Sequence, residues 1–210
     1  MTRDEVIRAF VAVWPSQEIT SLLSKVIADL RGELPGYRWV EAQNLHITLE
    51  FLGDVRTALI SLIGQVLDET ASNLSPFEIA IGKPGVFGSP GRARVLWLDV
   101  SDPREDLLRL ALNVIEKLKR VGFSPDKDFV AHLTLARKKD REGGFISRER
   151  WQDLWYARFK EVDASNAGLG KAGNTGAWTV SCVTLVKSVL TANGPHYEVI
   201  HESRLGPVVR

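Results

Sequence analysis

The chain has 210 residues, 44% of them hydrophobic and 25% charged, which is ordinary for a folded globular protein and argues against extended disorder. This length suits one large domain or two small lobes that share a core. The 27 lysines and arginines nearly balance 26 acidic residues, so the net charge is only +1. A protein that grips long nucleic acid usually has a basic excess, so we expect any nucleic-acid contact to involve an end or a small fragment.

The single cysteine and the N-terminal residues bear on location. Cys182 cannot form an intramolecular disulfide, which favours a reducing cytoplasm. It lies in the apolar run 180–186, where a buried thiol is favoured over a nucleophile. The start of the chain does not resemble a signal peptide, and the apolar stretch 6–15 contains Arg8 and is too short for a membrane span. We therefore expect a soluble cytoplasmic protein, monomeric by default.

The first half of the chain predicts alternating strands and helices. Ser16 is the expected N-cap of the first helix, and Gly32 with Pro35-Gly36 ends it. Gly53-Asp54 is expected to turn the chain, and the glycines and prolines of 82–91 predict a loop. The predicted strands are 6–14, 37–40, 44–52, 77–81 and 93–100, with a second helix over 57 to about 70.

The same order recurs in the second half. A helix is expected to open at Ser101-Asp102-Pro103, because proline is tolerated in a first helical turn, and to end before Gly122. Its predicted apolar face is Leu107, Leu108, Leu110, Ala111, Val114, Ile115 and Leu118. Then come a strand over 129–136, a helix around 147–157 and strands over 178–187 and 197–202. The repeat indicates an ancient duplication that places two similar lobes face to face.

Residues 138–177 interrupt this second half. The charged run 138–144 predicts a flexible turn, and four glycines in 166–176 favour a mobile loop. Between them Trp151, Trp155 and Phe159 recur every four residues. A helix face packed on the core is the favoured interpretation, and a base-stacking platform is the alternative.

Two tetrapeptides occupy matching places in the two halves, namely His46-Ile47-Thr48-Leu49 and His132-Leu133-Thr134-Leu135. Side chains alternate along a strand, so each motif places its histidine and threonine on one face and its aliphatic residues in the core. One such motif is a weak signal, because a histidine in a strand is more often structural. Two copies at equivalent positions favour one shared site over a duplicated structural histidine.

Two histidines at one phosphodiester can divide the proton transfers. Histidine titrates near pH ~6.5, so a neutral ring can take a proton from the attacking water while a protonated ring gives one to the leaving oxygen. Threonine hydroxyls and a nearby cation can hold the non-bridging oxygens. A catalytic metal is the rival use, but Glu50, Asp54 and Asp140 do not follow the two motifs at matching offsets.

The sequence resembles the 2H phosphoesterases, and specifically the bacterial and archaeal RNA 2′,3′-cyclic phosphodiesterases once called 2′-5′ RNA ligases. The resemblance covers most of the chain and is most specific around the first motif. The segments that carry it are 7–12, 38–40, 44–53, 95–97, 132–137 and 194–199.

This resemblance implies one bilobal α+β domain over 1–210, with a variable segment at 138–177. Two similar lobes with antiparallel-type sheets and flanking helices would enclose a central cleft. The implied reaction is hydrolysis of a terminal RNA 2′,3′-cyclic phosphate to a 2′-phosphate, without cofactor or metal. The implied partner is an RNA end or a small cyclic nucleotide, with no membrane and no obligate protein partner.

The resemblance also implies residue roles. His46 would be the proton donor and His132 the proton acceptor, while Thr48, Thr134 and Arg137 would hold the phosphate. Strand parity alone places Arg137 on the face opposite His132, so it must reach the site from the strand end or through a β-bulge. The alternative for this arginine is a surface ion pair.

The chain departs from the family pattern in two short segments and in the greater length of 138–177. Ala131 stands where a proline usually precedes the second histidine, and Lys187-Ser188 replaces a Glu-Ser pair. His196 and His201 lie outside the motifs and are interpreted as surface or packing residues. Two other functions remain open, namely 2′-5′ RNA ligation by the reverse chemistry and nucleotide binding without turnover. Hydrolysis is favoured in dilute solution, and the presence of both motifs argues against a binding module.

Overall fold

The structure is a computed structural model that describes residues 5–101, 105–124, 128–139, 143–165, 176–191 and 194–206. Within these residues the chain forms nine β-strands and four α-helices. In chain order they are β1 (Val6–Val13), α1 (Gln17–Glu33), β2 (Tyr37–Trp39), β3 (Ile47–Arg56), α2 (Ile60–Ala71), β4 (Phe77–Ser89), β5 (Arg92–Ser101), α3 (Glu105–Arg120), β6 (His132–Lys138), α4 (Arg148–Ser165), β7 (Ala177–Val180), β8 (Cys182–Thr191) and β9 (Gly194–Arg204). Short 3-10 turns at Ala42–Asn44 and Thr57–Leu59 precede β3 and α2.

The strands form two antiparallel sheets, each the basis of one lobe. The first lobe has the sheet order β3-β1-β8-β9 and packs against α2 and α3. The second lobe has the order β2-β6-β5-β4-β7 and packs against α4, which in turn packs against α1. This confirms the α+β fold with two lobes. Each sheet takes strands from both halves of the chain, so the lobes are interleaved rather than consecutive in sequence.

The first helix follows its sequence signals closely. The Ile19 backbone N–H donates to the Ser16 hydroxyl at 3.3 Å, as expected of an N-cap. All six apolar residues at helical spacing are buried, namely Ile19, Leu22, Leu23, Val26, Ile27 and Leu30. On α3 the predicted face is also buried, except that Leu108 is 41% exposed and lines a surface cavity beside Asp99. The predicted opening of α3 at 102–103 lies outside the described residues.

The first motif strand is longer than predicted and begins later. Asn44 belongs to a 3-10 turn, and β3 starts at Ile47 and continues to Arg56. The expected turn at Gly53-Asp54 is therefore wrong. Gly53 adopts a left-handed φ of 66°, where its pairing with β1 shifts register. Glycine tolerates that φ, so here it permits a β-bulge within a continuing strand.

The predicted loop over 82–91 is also wrong, because β4 extends to Ser89 and pairs with β5. Glycine in this stretch provides space rather than a turn. A Cβ on Gly85 would lie 2.4 Å from the indole ring of Trp97, so only glycine leaves room for this ring against β4. Gly88 has a φ of 137° at a second register shift.

The apolar run 178–187 forms two strands instead of one. The strand is interrupted at Ser181, and β7 joins the second sheet while β8 joins the first.

In the preceding segment α4 extends to Ser165, and Trp151 and Trp155 are buried in the core that runs through both lobes. The packed helix face is therefore confirmed for these two residues. Residues 140–142 and 166–175 lie outside the described part of the chain, and none of the described helices is long and apolar enough to cross a bilayer.

Replacement of Gly85 by alanine tests the packing of the indole on β4. The new methyl group would collide with Trp97, so we expect Gly85→Ala to lower the free energy of unfolding by about 1–3 kcal/mol in urea titrations. Gly32→Ala is the matched control, since nothing lies within 4 Å of its added Cβ and helical alanine should stabilise by about 0.5–1 kcal/mol. Equal effects of the two substitutions would contradict this packing.

Candidate active site

The two motifs lie on strands that meet at the junction of the lobes. β3 is the edge strand of the first sheet, and it contacts β6 of the second sheet. The charge of His132 lowers the pKa of His46, so the two imidazoles are electrostatically coupled. The structure thus places the two predicted histidines in one region between the lobes.

His46 is oriented by its own backbone. Its Nδ1 lies 2.7 Å from the carbonyl oxygen of Asn44, and its Nε2 lies 3.1 Å from the hydroxyl of Thr48. A carbonyl can only accept, so Nδ1 carries the proton and the Nε2 of the neutral ring accepts from the threonine hydroxyl. The 3-10 turn Ala42–Asn44 supplies this carbonyl. His46 and Thr48 therefore share a face, as strand parity predicts.

His132 repeats this arrangement in the second lobe. Its Nδ1 lies 2.7 Å from the carbonyl oxygen of Val130, again two residues earlier in the chain. Its Nε2 has no hydrogen-bond partner within the described residues. In both rings Nδ1 is held by the backbone and Nε2 is the nitrogen available for proton exchange.

Aromatic rings surround the first histidine. The ring centroids of Phe10, Tyr197 and Trp14 lie 4.9, 5.2 and 5.4 Å from that of His46. Burial, together with the charges of Arg137 and His132, lowers the pKa of His46 to about 4, against the opposing bond to Asn44. The His46 ring is therefore neutral at neutral pH in the unliganded protein.

Fewer aromatic rings contact the second histidine, His132. The rings of Phe87 and Trp97 lie 4.9 and 5.9 Å from that of His132. Burial again lowers the pKa of the imidazole, and the charge of Arg137 adds to the effect. Sequence reasoning missed these aromatic residues because they come from β4 and β5, far from the motif in the chain.

Arg137 reaches the His132 face through a β-bulge. Thr134 and Ala136 pair with consecutive residues of β5, so Leu135 is the extra residue of the bulge. This extra residue reverses the alternation and places Arg137 on the same face as Thr134. Its charge contributes to the lowered pKa of both motif histidines, and it opposes the rise that burial causes in the pKa of Tyr197. Of the two routes open from the sequence, the structure shows the bulge.

The first motif contains the same irregularity with a different outcome. Thr48 and Glu50 pair with consecutive residues of β1, so Leu49 is the extra residue. The position that matches Arg137 is then Phe51, since each follows its motif histidine by five residues. Phe51 is 66% exposed, and its ring lies 6.2 Å from that of Phe10. This spacing was visible in the sequence, but the bulge that gives it meaning was not.

Other candidate groups lie away from this region. His201 bonds the Asp68 carboxylate at 2.9 Å and its ring packs against Gly64 of α2, so it is a packing residue, as interpreted from the sequence. Cys182 is half-buried, and burial raises the pKa of its thiol, which disfavours a nucleophilic role. Within the described ranges no three His, Cys, Asp or Glu side chains are grouped so that they could hold a metal ion.

The chain belongs to the LigT-like phosphoesterase family, whose sequence profile matches residues 13–97 and 98–197. A protein of Methanothermobacter thermautotrophicus named RNA 2′,3′-cyclic phosphodiesterase is 33% identical over 201 residues, which is 95% of this chain and 99% of that protein. A protein of the same name from Aquifex aeolicus is 31% identical over 204 residues, 96% of this chain and 99% of the relative.

Solved structures show the same fold. The TT0787 protein of Thermus thermophilus superposes with a TM-score of 0.73 at 24% identity, over 95% of this chain and 98% of that one. Escherichia coli LigT in its apo form gives a TM-score of 0.69 at 22% identity, over 97% of this chain and 99% of the other. The same Escherichia coli protein has been crystallised with 3′-AMP. These comparisons confirm the family and the bilobal fold expected from the sequence.

The effect of the Arg137 charge on the two motif histidines can be tested without an activity assay. Because its positive charge lowers the pKa of both motif histidines, Arg137→Gln should raise both values. NMR titration of the imidazole resonances measures this directly. Arg120→Gln is the control, since Arg120 is an exposed residue of α3 paired with Glu116. Unchanged pKa values of His46 and His132 in Arg137→Gln would contradict the placement of this side chain.

Proposed function

We propose that this protein hydrolyses the terminal 2′,3′-cyclic phosphate of RNA to a 2′-phosphate, using His46 and His132 for proton transfer. The observation that carries the proposal is the paired geometry of two neutral imidazoles, each held at Nδ1 by the carbonyl two residues before it. Two relatives that span nearly all of this chain bear the name RNA 2′,3′-cyclic phosphodiesterase. Cytoplasmic location and a monomeric state remain predictions from the sequence.

In the proposed reaction the Nε2 of His132 takes a proton from a water molecule as its oxygen bonds to phosphorus. The bond from phosphorus to O3′ breaks, and O3′ receives a proton from the Nε2 of His46. The products are a 2′-phosphate and a 3′-hydroxyl, with His132 protonated and His46 neutral. Proton exchange with solvent restores the starting state. Each proton transfer contributes about 10²–10⁴-fold in typical enzymes.

The low pKa of His46 makes protonation of the donor depend on substrate. A bound phosphate places negative charge beside the imidazole, which favours the charged ring and raises its pKa. We assign Thr48, Thr134 and Arg137 to the non-bridging oxygens, where charge develops as water attacks. Arg137 suits this role because its charge already acts on both histidines. The proposed reaction needs no cofactor.

The test is incubation of the protein with EDTA and a nucleoside 2′,3′-cyclic phosphate, with the product identified by ³¹P NMR. We expect a 2′-phosphate, and a loss of about 10²–10⁴-fold in kcat for His46→Ala and for His132→Ala. His201→Gln is the control outside the site, and it should retain activity.

Other outcomes separate the alternatives. A 3′-phosphate product would contradict the bond assigned to break. Activity abolished by EDTA would overturn the metal-free reaction. Binding without turnover would favour a nucleotide-binding module. If a 5′-hydroxyl RNA is added to the same mixture, its joining to the cyclic phosphate would favour ligation.

The pH dependence follows from the lowered pKa values. The profile of kcat/KM reports the free protein, in which both histidines have a pKa below 6.5, so we expect its optimum below pH 6.5. The profile of kcat reports the complex, in which bound phosphate raises the pKa of the donor, so its optimum should lie at higher pH. Steady-state kinetics from acid to mildly alkaline pH measure both, and a kcat/KM optimum on the alkaline side would be inconsistent with buried neutral histidines.

A further inference from the structure

We propose that Arg38 and Arg137 form a second phosphate subsite, which holds the phosphodiester next to the cyclic phosphate and makes an oligonucleotide end a better substrate than a mononucleotide. This inference rests on the proposed function and adds the length of substrate that the site prefers. It assigns a binding role to Arg38 on β2.

The strand register places the two arginines side by side. Arg38 of β2 pairs directly with Arg137 of β6, in an antiparallel ladder. Tyr37 and Trp39 on either side of Arg38 are buried, so Arg38 points to the opposite, exposed face. The bulge at Leu135 puts Arg137 on that face as well. Opposed Cα atoms in such a pair are about 4.5–5.5 Å apart, so both guanidinium groups leave the sheet as neighbours.

This pair is electrostatically unfavourable in the unliganded protein. Like charges directly opposite each other destabilise an antiparallel pair. Within the described part of the chain neither arginine has an acidic partner, whereas Arg31, Arg120 and Arg158 each pair with a glutamate. An anion bound between the two guanidinium groups would remove the repulsion. Arginine binds phosphate through parallel N–H···O bonds, so a phosphodiester fits this position.

The second subsite is distinct from the position of the reacting phosphate. The charge of Arg137 lowers the pKa of both motif histidines, whereas the charge of Arg38 contributes to neither shift. Arg38 lies one strand beyond Arg137, about 4.8 Å further across the sheet. Arg137 therefore stands between the reacting phosphate and Arg38, and the neighbouring phosphodiester of a longer substrate would contact both.

The two lobes differ next to the site, and this difference indicates on which side the rest of an RNA substrate would lie. β3 is the edge of the first sheet, whereas β6 has β2 outside it in the second sheet. Phe51 occupies the position in the first lobe that Arg137 occupies in the second. At this pair of matching positions the basic residue therefore lies in the second lobe, next to Arg38. We infer that the RNA backbone leaves the site across β6 and β2.

The experiment compares two substrates, uridine 2′,3′-cyclic phosphate and a pentauridylate that ends in a 2′,3′-cyclic phosphate. Arg38→Gln should lower kcat/KM for the oligonucleotide by about tenfold and leave the value for the mononucleotide unchanged. Arg38→Lys, which keeps the charge, should recover part of the loss. The slope of log(kcat/KM) against log[salt] for the oligonucleotide should fall by about one in Arg38→Gln. Arg120→Gln is the control exposed arginine, and thermal melting checks that all variants are folded.

Two outcomes of the kinetic comparison overturn the inference. An equal loss on both substrates would assign Arg38 to the reacting phosphate or to the fold, and no loss on either would remove it from substrate binding. If the wild-type protein hydrolyses neither substrate, the proposed function fails. Binding of a fluorescent pentauridylate with a terminal 2′-phosphate then tests the subsite separately, and equal affinities of wild type and Arg38→Gln would overturn it.

Discussion

The site depends on the packing of β3 against β6, because each lobe supplies one histidine and neither lobe has a site alone. That contact is secured by the way the chain is shared between the lobes. β8 and β9 from the second half complete the first sheet, and β2 from the first half is the outer strand of the second. The buried apolar residues of both lobes also form one continuous core. Separation of the lobes would expose this shared core to water, so the fold holds the two imidazoles close together.

The second constraint is the β-bulge that follows the threonine of each motif. A regular strand would turn the residue five positions after each histidine away from the site. The extra residue, Leu49 or Leu135, turns it towards the site. The backbone irregularity is thus the same in both lobes, while the side chain it presents differs, Phe51 in one and Arg137 in the other. The similar backbone of the two lobes therefore presents an aromatic side chain, Phe51, on one side and a cationic one, Arg137, on the other. This pair suits a ligand with a base at one end and a phosphate at the other.

Local signals in the sequence were sufficient for the first helix and for the shared face of His46 and Thr48. The Ser16 cap and the spacing of apolar residues each act over a few residues, and the structure follows them. The errors came from features set by distant pairing. Gly53 was predicted to form a turn, but it permits a β-bulge in the pairing with β1. Gly85 was predicted to lie in a loop, but it leaves room for the Trp97 indole of β5. In both cases the role of the glycine depends on a strand that is distant in the sequence. Arg38 and Arg137 likewise lie 99 positions apart in the sequence, and only the register of β2 with β6 shows that they are adjacent.

Burial of the histidines explains how one fold can combine two opposite requirements. A general base must be neutral, and the aromatic surround keeps both rings neutral by excluding water from the charged form. A general acid must be protonated, and among the described residues no anion raises the pKa of His46. Bound phosphate is the group that can supply this charge. Arg137 opposes protonation of His46, and a phosphate that pairs with this arginine would cancel its effect on the histidines. In the proposed reaction, phosphate binding would remove the repulsion by Arg137 and add an attraction for the charged ring, so protonation of His46 would depend on the bound substrate.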